Sequence, residues 1–381
     1  MRIVIAPDSF KECLSAAEVA EAIADGVRQV LPSADIVCVP MADGGEGSLD
    51  AVLAATGGQE KLLDVLDANG RPCQASWGWL GDGKAFIEMA AAAGLEQIAP
   101  LERKPLLASS YGVGQLVQDA IQAGARHIVL GLGGSATNDA GAGLLQALGV
   151  RLLDAQGQDL PGGGAALRQL DRIVLDDVDA SLKDMQFEIA VDVDNPLCGL
   201  RGASAIFGPQ KGASAEDVAV LDAALSHFAD VCASQFGEDH RNIPGMGAAG
   251  GLGFAVKTCF NASFRPGVEL VAELSGLVGA LDGADLVFTG EGRMDAQTLL
   301  GKTPAGVARY ASRKGIPVIA LAGSLGEGYE ALYQAGITAA FSLAPGPVSL
   351  EQAYAHAGEY LRQRAGDSTR AWLAGSKANL R

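Results

Sequence analysis

The first forty residues contain an apolar run, an amphipathic helix pattern and a second apolar run. Residues 2–7 (RIVIAP) and 35–40 (DIVCVP) are mainly apolar and have the length of buried strands. Between them, apolar residues recur on one helical face from about Ser15 to Leu31, and Ser15 with Glu18 matches a capping box. Such a strand–helix–strand unit predicts parallel strands that are buried on both faces.

The last third of the chain repeats this alternation. Helices are predicted at 304–315 and 328–336, and a long final helix is predicted to begin after Ser349 and to run toward Arg370. Apolar runs predict strands at 284–290, 317–323 and 337–344.

The middle of the chain follows a different pattern. Residues 70–90 alternate around the turn Gly81-Asp82-Gly83 and predict an antiparallel hairpin, and residues 150–160 predict another. The apolar segment 187–196 predicts a strand that ends in an acidic loop.

These patterns predict an α/β protein with two domains. A doubly wound, Rossmann- or flavodoxin-like parallel-sheet domain is expected from both chain ends, at residues 1–65 and 250–381. A mixed α/β domain is expected to be inserted at 66–249, and the segment 105–150 could belong to either domain.

Composition and charge narrow the functional classes. The net charge of −17 argues against a nucleic-acid partner, because binding to phosphates requires a basic face. The apolar runs are too short for a membrane span, so no membrane partner is expected. Six cysteines without a CxxC pair predict reduced thiols in a cytoplasm, and four histidines without an HxxxH pair argue against a histidine-based metal site.

Three polar segments, at 7–15, 41–48 and 289–295, follow predicted strands of the doubly wound domain. Ligands bind at the carboxyl ends of parallel strands, so these segments are expected to share a ligand site rather than only to form turns. Their candidate side chains are Asp8, Ser9, Lys11, Asp43, Glu46, Glu291, Arg293 and Asp295.

Residues 131–143 (GLGGSATNDAGAG) combine glycines, small hydroxyls and a following helix start, which suits anion binding. Gly131-x-Gly133-x-x-Ala136 also resembles the dinucleotide fingerprint, but the acidic residue expected about 20 residues later would be Asp154, in a hairpin-like segment. A second glycine-rich segment, at 245–257, predicts either a phosphate cradle or close helix packing.

Asp192, Asp194 and Asn195 stand at the predicted end of a strand. Carboxylates two residues apart on an extended segment point to one side, so this pair is predicted to bind Mg²⁺ or to act as a general base, with a solvated turn as the alternative. Lys211 lies in a further glycine loop at 207–214.

Gly301-Lys302-Thr303 matches the last three positions of the P-loop pattern G-x-x-x-x-G-K-[ST]. The P-loop pattern requires glycine at position 296, where this chain has Ala296, and the nearest predicted strand ends eleven residues before Gly301. The chain is therefore not predicted to be a P-loop nucleotide enzyme.

Six segments resemble the bacterial type 1 glycerate kinase family, in family order along nearly the whole chain. One small departure is Cys13, where glycine or another small residue is expected. The matching segments are IAPDSFKECLSA (5–16), MADGGEGS (41–48), GLGGSATNDAGAG (131–143), DVDNPLCG with FGPQKGA (192–213), GMGAAGGLG (245–253) and TGEGRMDAQTLLGKTPAGVA (289–308).

The resemblance implies an ATP-dependent kinase that converts D-glycerate to 2-phosphoglycerate, with 3-phosphoglycerate less favoured, in cytoplasmic glyoxylate or sugar-acid metabolism. It also implies a two-domain α/β fold with one domain inserted in the other, and it places Lys302 in a segment that is not a Walker loop. Mg²⁺ is expected beside ATP, because phosphoryl transfer requires it on the phosphates. Whether the chain forms a homo-oligomer is left open.

Site roles follow from loop position and residue type. The base is expected to be Asp192 or Asp194, with Asp295 behind them. The substrate-binding candidates are Lys11, Ser9, Arg293, Asp8 and Lys302, of which Arg293 and Lys11 are expected to grip the glycerate carboxylate. The phosphate-binding candidates are Gly133, Gly134, Ser135, Thr137, Asn138, Gly250 and Gly251. The Mg²⁺ candidates are Asp43, Glu46 and Asp192.

Two other functional classes are retained. Gly131-x-Gly133 suggests an NAD(P)-dependent hydroxy-acid dehydrogenase, which would bind NAD(P) and not turn over ATP. Two α/β domains suggest a non-enzymatic sugar-acid-binding module, which would be expected to carry a signal peptide, and the apolar run at the first residues is too short to be one.

Overall fold

The structure, a computed structural model, describes residues 1–176 and 178–378. Its strands are β1 (Arg2–Ile5), β2 (Asp35–Cys38), β3 (Gln59–Leu66), β4 (Pro72–Gly81), β5 (Lys84–Glu88), β6 (His127–Gly131), β7 (Arg151–Leu153), β8 (Arg172–Val174), β9 (Gln186–Ala190), β10 (Ser263–Arg265), β11 (Leu286–Met294), β12 (Val318–Leu325) and β13 (Ala339–Ser342). Its helices are α1 (Ala16–Val30), α2 (Ser48–Thr56), α3 (Ala90–Ala93), α4 (Tyr111–Gln122), α5 (Ala142–Ala147), α6 (Ala203–Phe207), α7 (Ala215–Phe236), α8 (Leu252–Phe260), α9 (Gly267–Leu274), α10 (Leu277–Ala280), α11 (Thr303–Ser312), α12 (Leu350–Ala355) and α13 (Ala357–Ala378).

Contacts divide the chain into two compact units. The terminal unit comprises Met1–Asp43, Asp50–Gly57 and Pro266–Arg381, and the central unit comprises Gly44–Leu49 and Gly58–Arg265. No helix among the described residues is long and apolar enough to cross a membrane.

The terminal unit is built on a parallel sheet with the strand order β13-β12-β11-β1-β2. The chain leaves β1 toward one edge and leaves β11 toward the other, so right-handed connections place α1 and α11 on opposite faces. On the α1 face, Ile23 and Leu361 pack with Ile3 and Ile5. The predicted doubly wound α/β fold is confirmed.

The central unit contains a mixed sheet with the order β10-β9-β6-β5-β4-β3. The strands β3, β4 and β5 pair antiparallel, which confirms the predicted hairpin at 70–90, and β5, β6, β9 and β10 pair parallel. Trp77, Leu130, Phe187 and Phe228 are buried in its core.

Both domain boundaries differ from the predicted positions. Residues 59–65 belong to β3, which pairs with β4 of the central unit, and residues 250–265 also lie in that unit because β10 pairs with β9. The segment 105–150 lies in the central unit as well, where β6 pairs with β5 and β9.

Residues 150–160 form the predicted hairpin as a short one: Leu153 and Asp159 make an antiparallel bridge, and the Leu160 N–H donates to the Leu152 carbonyl at 2.8 Å. The strand β7 also pairs antiparallel with β8. Two other local predictions were wrong. The predicted helix at 328–336 is a short 3-10 turn, Tyr329–Tyr333, and the predicted final helix is divided at His356 into α12 and α13.

Candidate active site

Polar residues of the terminal unit meet at the carboxyl ends of β1 and β11. The backbone N–H of Asp8 donates to the carbonyl of Gly290 at 2.8 Å, and that of Met41 donates to the carbonyl of Pro7 at 2.9 Å. The segment after β1 therefore lies beside β11, and the segment after β2 lies beside the segment after β1, as the shared edge of a parallel sheet requires. We call Asp8, Asp43, Glu291, Lys302 and Thr303 the Asp8 cluster.

Asp8 is held by hydrogen bonds on both carboxylate oxygens. The Ser9 N–H donates to Oδ1 at 2.7 Å, and the Thr303 hydroxyl donates to Oδ2 at 2.5 Å. Burial raises the pKa of Asp8 from 3.8 to about 7, and the charge of Asp43 adds to this effect. The hydrogen bonds from Thr303 and Ser9 oppose it, so desolvation and like charge outweigh them.

Glu291 is a buried carboxylate of the same cluster. It accepts a hydrogen bond from the Thr298 hydroxyl at 2.6 Å and forms an ion pair with Lys302 Nζ at 3.2 Å. Burial raises the pKa of Glu291, while Thr298 and Lys302 counteract the shift.

These contacts account for the Gly-Lys-Thr sequence without a P-loop. Lys302 immediately precedes α11 and pairs with Glu291, and Thr303 is the first residue of α11 and bonds to Asp8. The segment that resembled a phosphate loop therefore joins α11 to two carboxylates.

Arg293 and Asp295 occupy less enclosed positions. The Arg293 side chain is 69% exposed, and its Nε lies 3.2 Å from Asp295 Oδ2. Asp295 caps the short 3-10 turn Ala296–Leu299 by accepting the Gln297 N–H at 2.9 Å. Residues 289–294 were predicted as a loop but continue β11, because Glu291 and Arg293 remain in register with β12. In the same unit, Lys11 is exposed and Ser9 is half-buried.

In the central unit, residues 131–143 form what we call the glycine loop, between β6 and α5. At Gly133 an added Cβ would lie 2.6 Å from the Cα of Gly45. The 44–46 segment therefore approaches the loop so closely that only glycine fits at position 133. Gly134 is exposed and has φ +71°.

The second predicted glycine segment packs against the same loop. An added Cβ at Gly250 would lie 2.1 Å from the Thr137 carbonyl oxygen, and the Gly250 carbonyl accepts the Ala140 N–H at 2.9 Å. Gly251, the residue before α8, has φ +90°. The two glycine-rich segments for which the sequence predicted phosphate binding therefore pack against each other.

Two side chains of the glycine loop keep unpaired polar atoms. Thr137 and Asn138 are fully buried. Asn138 Nδ2 donates to Ser204 Oγ at 2.7 Å, but Asn138 Oδ1 and Thr137 Oγ1 have no hydrogen-bond partner within the described part of the chain. Buried polar atoms of this kind are unusual in proteins and are expected where a ligand or water binds.

Lys211 contacts the glycine loop from a distant segment. Its side chain is buried, and Nζ donates to Ser135 Oγ at 2.8 Å and to the Thr137 carbonyl at 2.6 Å. Burial lowers the pKa of Lys211 to about 7, and the carboxylate of Asp139 opposes the shift. The sequence places this lysine in a glycine-rich segment but indicates no role for it, because its partners lie 74 and 76 residues away.

Asp139 anchors the same loop. Its Oδ2 accepts the Ser110 N–H at 2.8 Å, the Ser110 hydroxyl at 2.9 Å and the Gly143 N–H at 3.1 Å, and its Oδ1 accepts the Gly141 N–H at 3.1 Å. Burial nevertheless raises its pKa.

Asp192 and Asp194 do not stand at a strand end, because β9 ends at Ala190. Both side chains are exposed, and Asp194 pairs with Arg201 at 3.1 Å, where both partners are more than half exposed. Asn195 Nδ2 donates to the Arg201 carbonyl at 2.8 Å. The structure therefore shows an exposed ion-paired loop at this position.

The three Mg²⁺ candidates are divided between the two units. Asp43 belongs to the terminal unit, whereas Glu46 and Asp192 belong to the central unit and are exposed. Across the described ranges, no group of three or more His, Cys, Asp or Glu side chains could hold a metal ion. The donors present do not fit a Mg²⁺ site formed by protein ligands alone.

The dinucleotide fingerprint also lacks its structural context. A fingerprint requires a helix that opens directly from the glycine turn, but α5 begins only at Ala142. This removes the structural reason for the dehydrogenase alternative.

Known proteins resemble this chain over both units. A sequence model described as the glycerate kinase family matches residues 3–373. The chain is 48% identical over 368 residues to a glycerate kinase of Bacillus subtilis (strain 168), with 96% of each chain covered. It is 48% identical over 355 residues to a glycerate 2-kinase of Escherichia coli (strain K12), with 93% of each covered. A crystal structure of a protein assigned as glycerate kinase 2 from Salmonella typhimurium LT2 superposes with a TM-score of 0.91, at 46% identity and 99% coverage of each chain.

Proposed function

The chain belongs to the glycerate kinase family of phosphotransferases, and on that basis we propose that it transfers the γ-phosphoryl group of ATP to D-glycerate. The products are ADP and 2-phosphoglycerate, with 3-phosphoglycerate less favoured, since one relative at 48% identity is named a glycerate 2-kinase. The reaction belongs to cytoplasmic glyoxylate or sugar-acid metabolism, where the six free cysteines would stay reduced.

The observation that supports this chemistry best is the environment of Asp8. The glycerate hydroxyl oxygen forms the new bond to phosphorus, the bond from phosphorus to the ADP oxygen breaks, and the hydroxyl proton passes to a base. A carboxylate with a pKa of about 7 and both oxygens fixed by hydrogen bonds is suited to accept that proton at neutral pH. We therefore prefer Asp8 as the base.

Asp192, Asp194 and Asp295 are retained as alternative bases. Asp194 is paired with Arg201, and Asp295 caps a turn, so each already has a structural role. Asparagine variants of all four carboxylates distinguish them.

The terminal unit also provides groups that can bind the carboxylate of glycerate. Arg293 is the preferred clamp because its exposed guanidinium retains donors beyond the one near Asp295, and Lys11 is the second candidate. Ser9 lies next to Asp8, while Lys302 balances the charge of Glu291.

The glycine loop is proposed to bind the phosphates of ATP. Backbone N–H groups around Gly133 and Gly134, the hydroxyls of Ser135 and Thr137, and the side chain of Asn138 offer hydrogen bonds, and Gly250 with Gly251 supports the loop from beneath. Mg²⁺ is proposed to enter with ATP, held mainly by phosphate oxygens and water.

An ADP-release assay tests this function. We expect ADP formation that requires both D-glycerate and Mg²⁺ and that is much slower with L-glycerate or unrelated sugars. Equal turnover with unrelated sugars, or no turnover with any hydroxy acid, would contradict the assignment. Binding of NAD(P) without ATP turnover would restore the dehydrogenase alternative.

A further inference from the structure

The glycine loop contains no lysine or arginine of its own. Lys211 lies at the end of the short 3-10 turn Pro209–Lys211, with its side chain only 2% exposed, and it inserts Nζ between Ser135 Oγ and the Thr137 carbonyl. A cation is therefore enclosed against a loop whose sequence lacks one.

The turn that carries Lys211 is itself held in place by neighbouring residues. Gly212 follows it with φ +92°, and Arg103 packs against the turn while donating to the Gln210 carbonyl at 2.8 Å. Lysine is rarely buried to this extent without a partner, and desolvation of its ammonium is costly. Such a position indicates that the lysine serves the loop it contacts.

The loop residues that Lys211 holds also carry unsatisfied groups. Lys211 binds the carbonyl of Thr137, while the hydroxyl of the same residue is fully buried without a partner in the described ranges. A hydroxyl in this position can donate to a phosphate oxygen. Fixing the Thr137 backbone therefore also fixes the position of a donor that none of the described residues uses.

We propose that Lys211 is a positioning residue for the phosphoryl donor: it holds Ser135 and Thr137 in the form that binds phosphate, and its ammonium supplies the positive charge that the glycine loop lacks. This inference rests on the proposed function, because it takes ATP and ADP as the ligands.

Nucleotide binding is expected to change the protonation of Lys211. Lys211 has a pKa of about 7, so much of it is neutral above that pH. The carboxylate of Asp139 on the glycine loop acts on its charge, and Arg103 lies beside the turn that carries it. A bound phosphate favours the ammonium form, so nucleotide binding at pH 8 raises the pKa of Lys211 and draws a proton from the buffer.

Steady-state kinetics test the positioning role. In Lys211→Met we expect the KM for ATP to rise about tenfold or more, as for a lost charge-assisted hydrogen bond, with the KM for D-glycerate nearly unchanged. Lys211→Arg keeps the charge and is expected to recover part of the loss. The matched control is Lys257→Met, since Lys257 on α8 donates to Asn261 at 3.0 Å; its KM for ATP should stay as in the wild type.

Calorimetry with ADP provides a readout that a purely structural lysine would not change. Binding is measured at pH 8 in Hepes and in Tris, which differ in ionisation enthalpy, using Asp8→Asn protein so that Asp8 does not contribute protons. We expect proton uptake when the Asp8→Asn protein binds ADP, and none when the double variant with Asp8→Asn and Lys211→Met binds it. If the Lys211→Met protein does not fold, the Asp8→Asn measurement decides alone, because an absence of uptake overturns the proposal.

The outcomes separate this inference from the proposed function. If the wild type binds ADP and Lys211→Met binds it with the same affinity and the same proton uptake, only the role of Lys211 is wrong. If the wild type binds neither ADP nor ATP, the proposed function fails and the inference fails with it.

Discussion

Asp8 combines a raised pKa with a fixed orientation. Desolvation and the charge of Asp43 favour its protonated form, while Ser9 and Thr303 direct both of its oxygens. The balance leaves a carboxyl that changes protonation near neutral pH, which is the range in which a general base is most effective.

Asp8→Asn is therefore expected to lower kcat by at least about 10²-fold, the lower end for general base catalysis. In the wild type, kcat/KM for D-glycerate should rise with pH through about 7 as Asp8 ionises. In the variant, this dependence of kcat/KM on pH should be absent. The comparison is Asp194→Asn, which removes an exposed ion pair and should change kcat by less than about threefold. A large loss in Asp194→Asn or Asp192→Asn with near wild-type kcat in Asp8→Asn would move the base to that loop.

The same pKa predicts how stability depends on pH. Folded Asp8 holds its proton up to about pH 7, whereas in the unfolded chain the pKa is near the ordinary value of 3.8. Between these values the folded state binds more protons, so the contribution of Asp8 to stability falls as pH rises through the window and stays low above it. Asp8→Asn removes this loss, so its Tm relative to wild type should increase from pH 5 to pH 8 in scanning calorimetry. An equal Tm difference at both pH values would show that Asp8 has an ordinary pKa.

Arg293→Ala tests the carboxylate clamp. A lost charge-assisted hydrogen bond costs roughly 1.5–3 kcal/mol, so the KM for D-glycerate should rise about 10–150-fold while the KM for ATP changes little. Arg28→Ala is the matched control, since Arg28 on α1 pairs with Glu21 and Asp25 of the same helix. An unchanged KM for glycerate in a folded Arg293→Ala protein refutes the clamp.

The sequence was sufficient to identify candidate site residues, but it was not sufficient to assign their roles. Asp8 and Asp43 could be found because each follows a predicted strand of one sheet. The preference for Asp8 as the base could not be found, because it depends on desolvation and on a hydrogen bond to Thr303, 295 positions away. Lys211 is similar, since no local pattern connects it to Ser135 or Thr137.

At the scale of the element, β11 places Glu291 and Arg293 in their observed positions. It runs to Met294 instead of ending at residue 290, and it stays paired with β12 beyond the glycines. Glycine and charge in TGEGRM argued for a loop, yet Gly290 is present because the two strands approach closely there. An added Cβ would lie 2.0 Å from the Leu321 carbonyl oxygen.

Gly290→Ala is expected to destabilise the protein by at least about 2 kcal/mol, because a backbone oxygen cannot move aside without disrupting the pairing of β11 with β12. The control is Gly279→Ala on α10, where an added Cβ meets nothing within 4 Å, and a change of less than about 1 kcal/mol is expected. Urea denaturation measures both. A wild-type midpoint for Gly290→Ala would show that the strands are less closely paired at this position.

At the scale of the whole molecule, strand partners decide to which unit a segment belongs. The pattern of residues 59–65 is compatible with either domain, and pairing of β3 with β4 assigns it to the central unit. The same is true of β10, a strand of three residues that pairs with β9. The periodicity of a strand indicates that it is buried, but it does not identify the neighbouring strand, so the fold class was predictable and the boundaries were not.

The product of the reaction tests the whole proposal in one spectrum. Transfer to the secondary hydroxyl of D-glycerate places phosphorus beside one carbon-bound proton, whereas transfer to the primary hydroxyl places it beside two. A phosphorus NMR spectrum without proton decoupling should therefore show a doublet for the new phosphate ester, as expected for 2-phosphoglycerate. A reaction without protein controls for any ester already present in the substrate. A triplet would identify 3-phosphoglycerate, and it would mean that the base acts on the terminal hydroxyl while the family assignment stands.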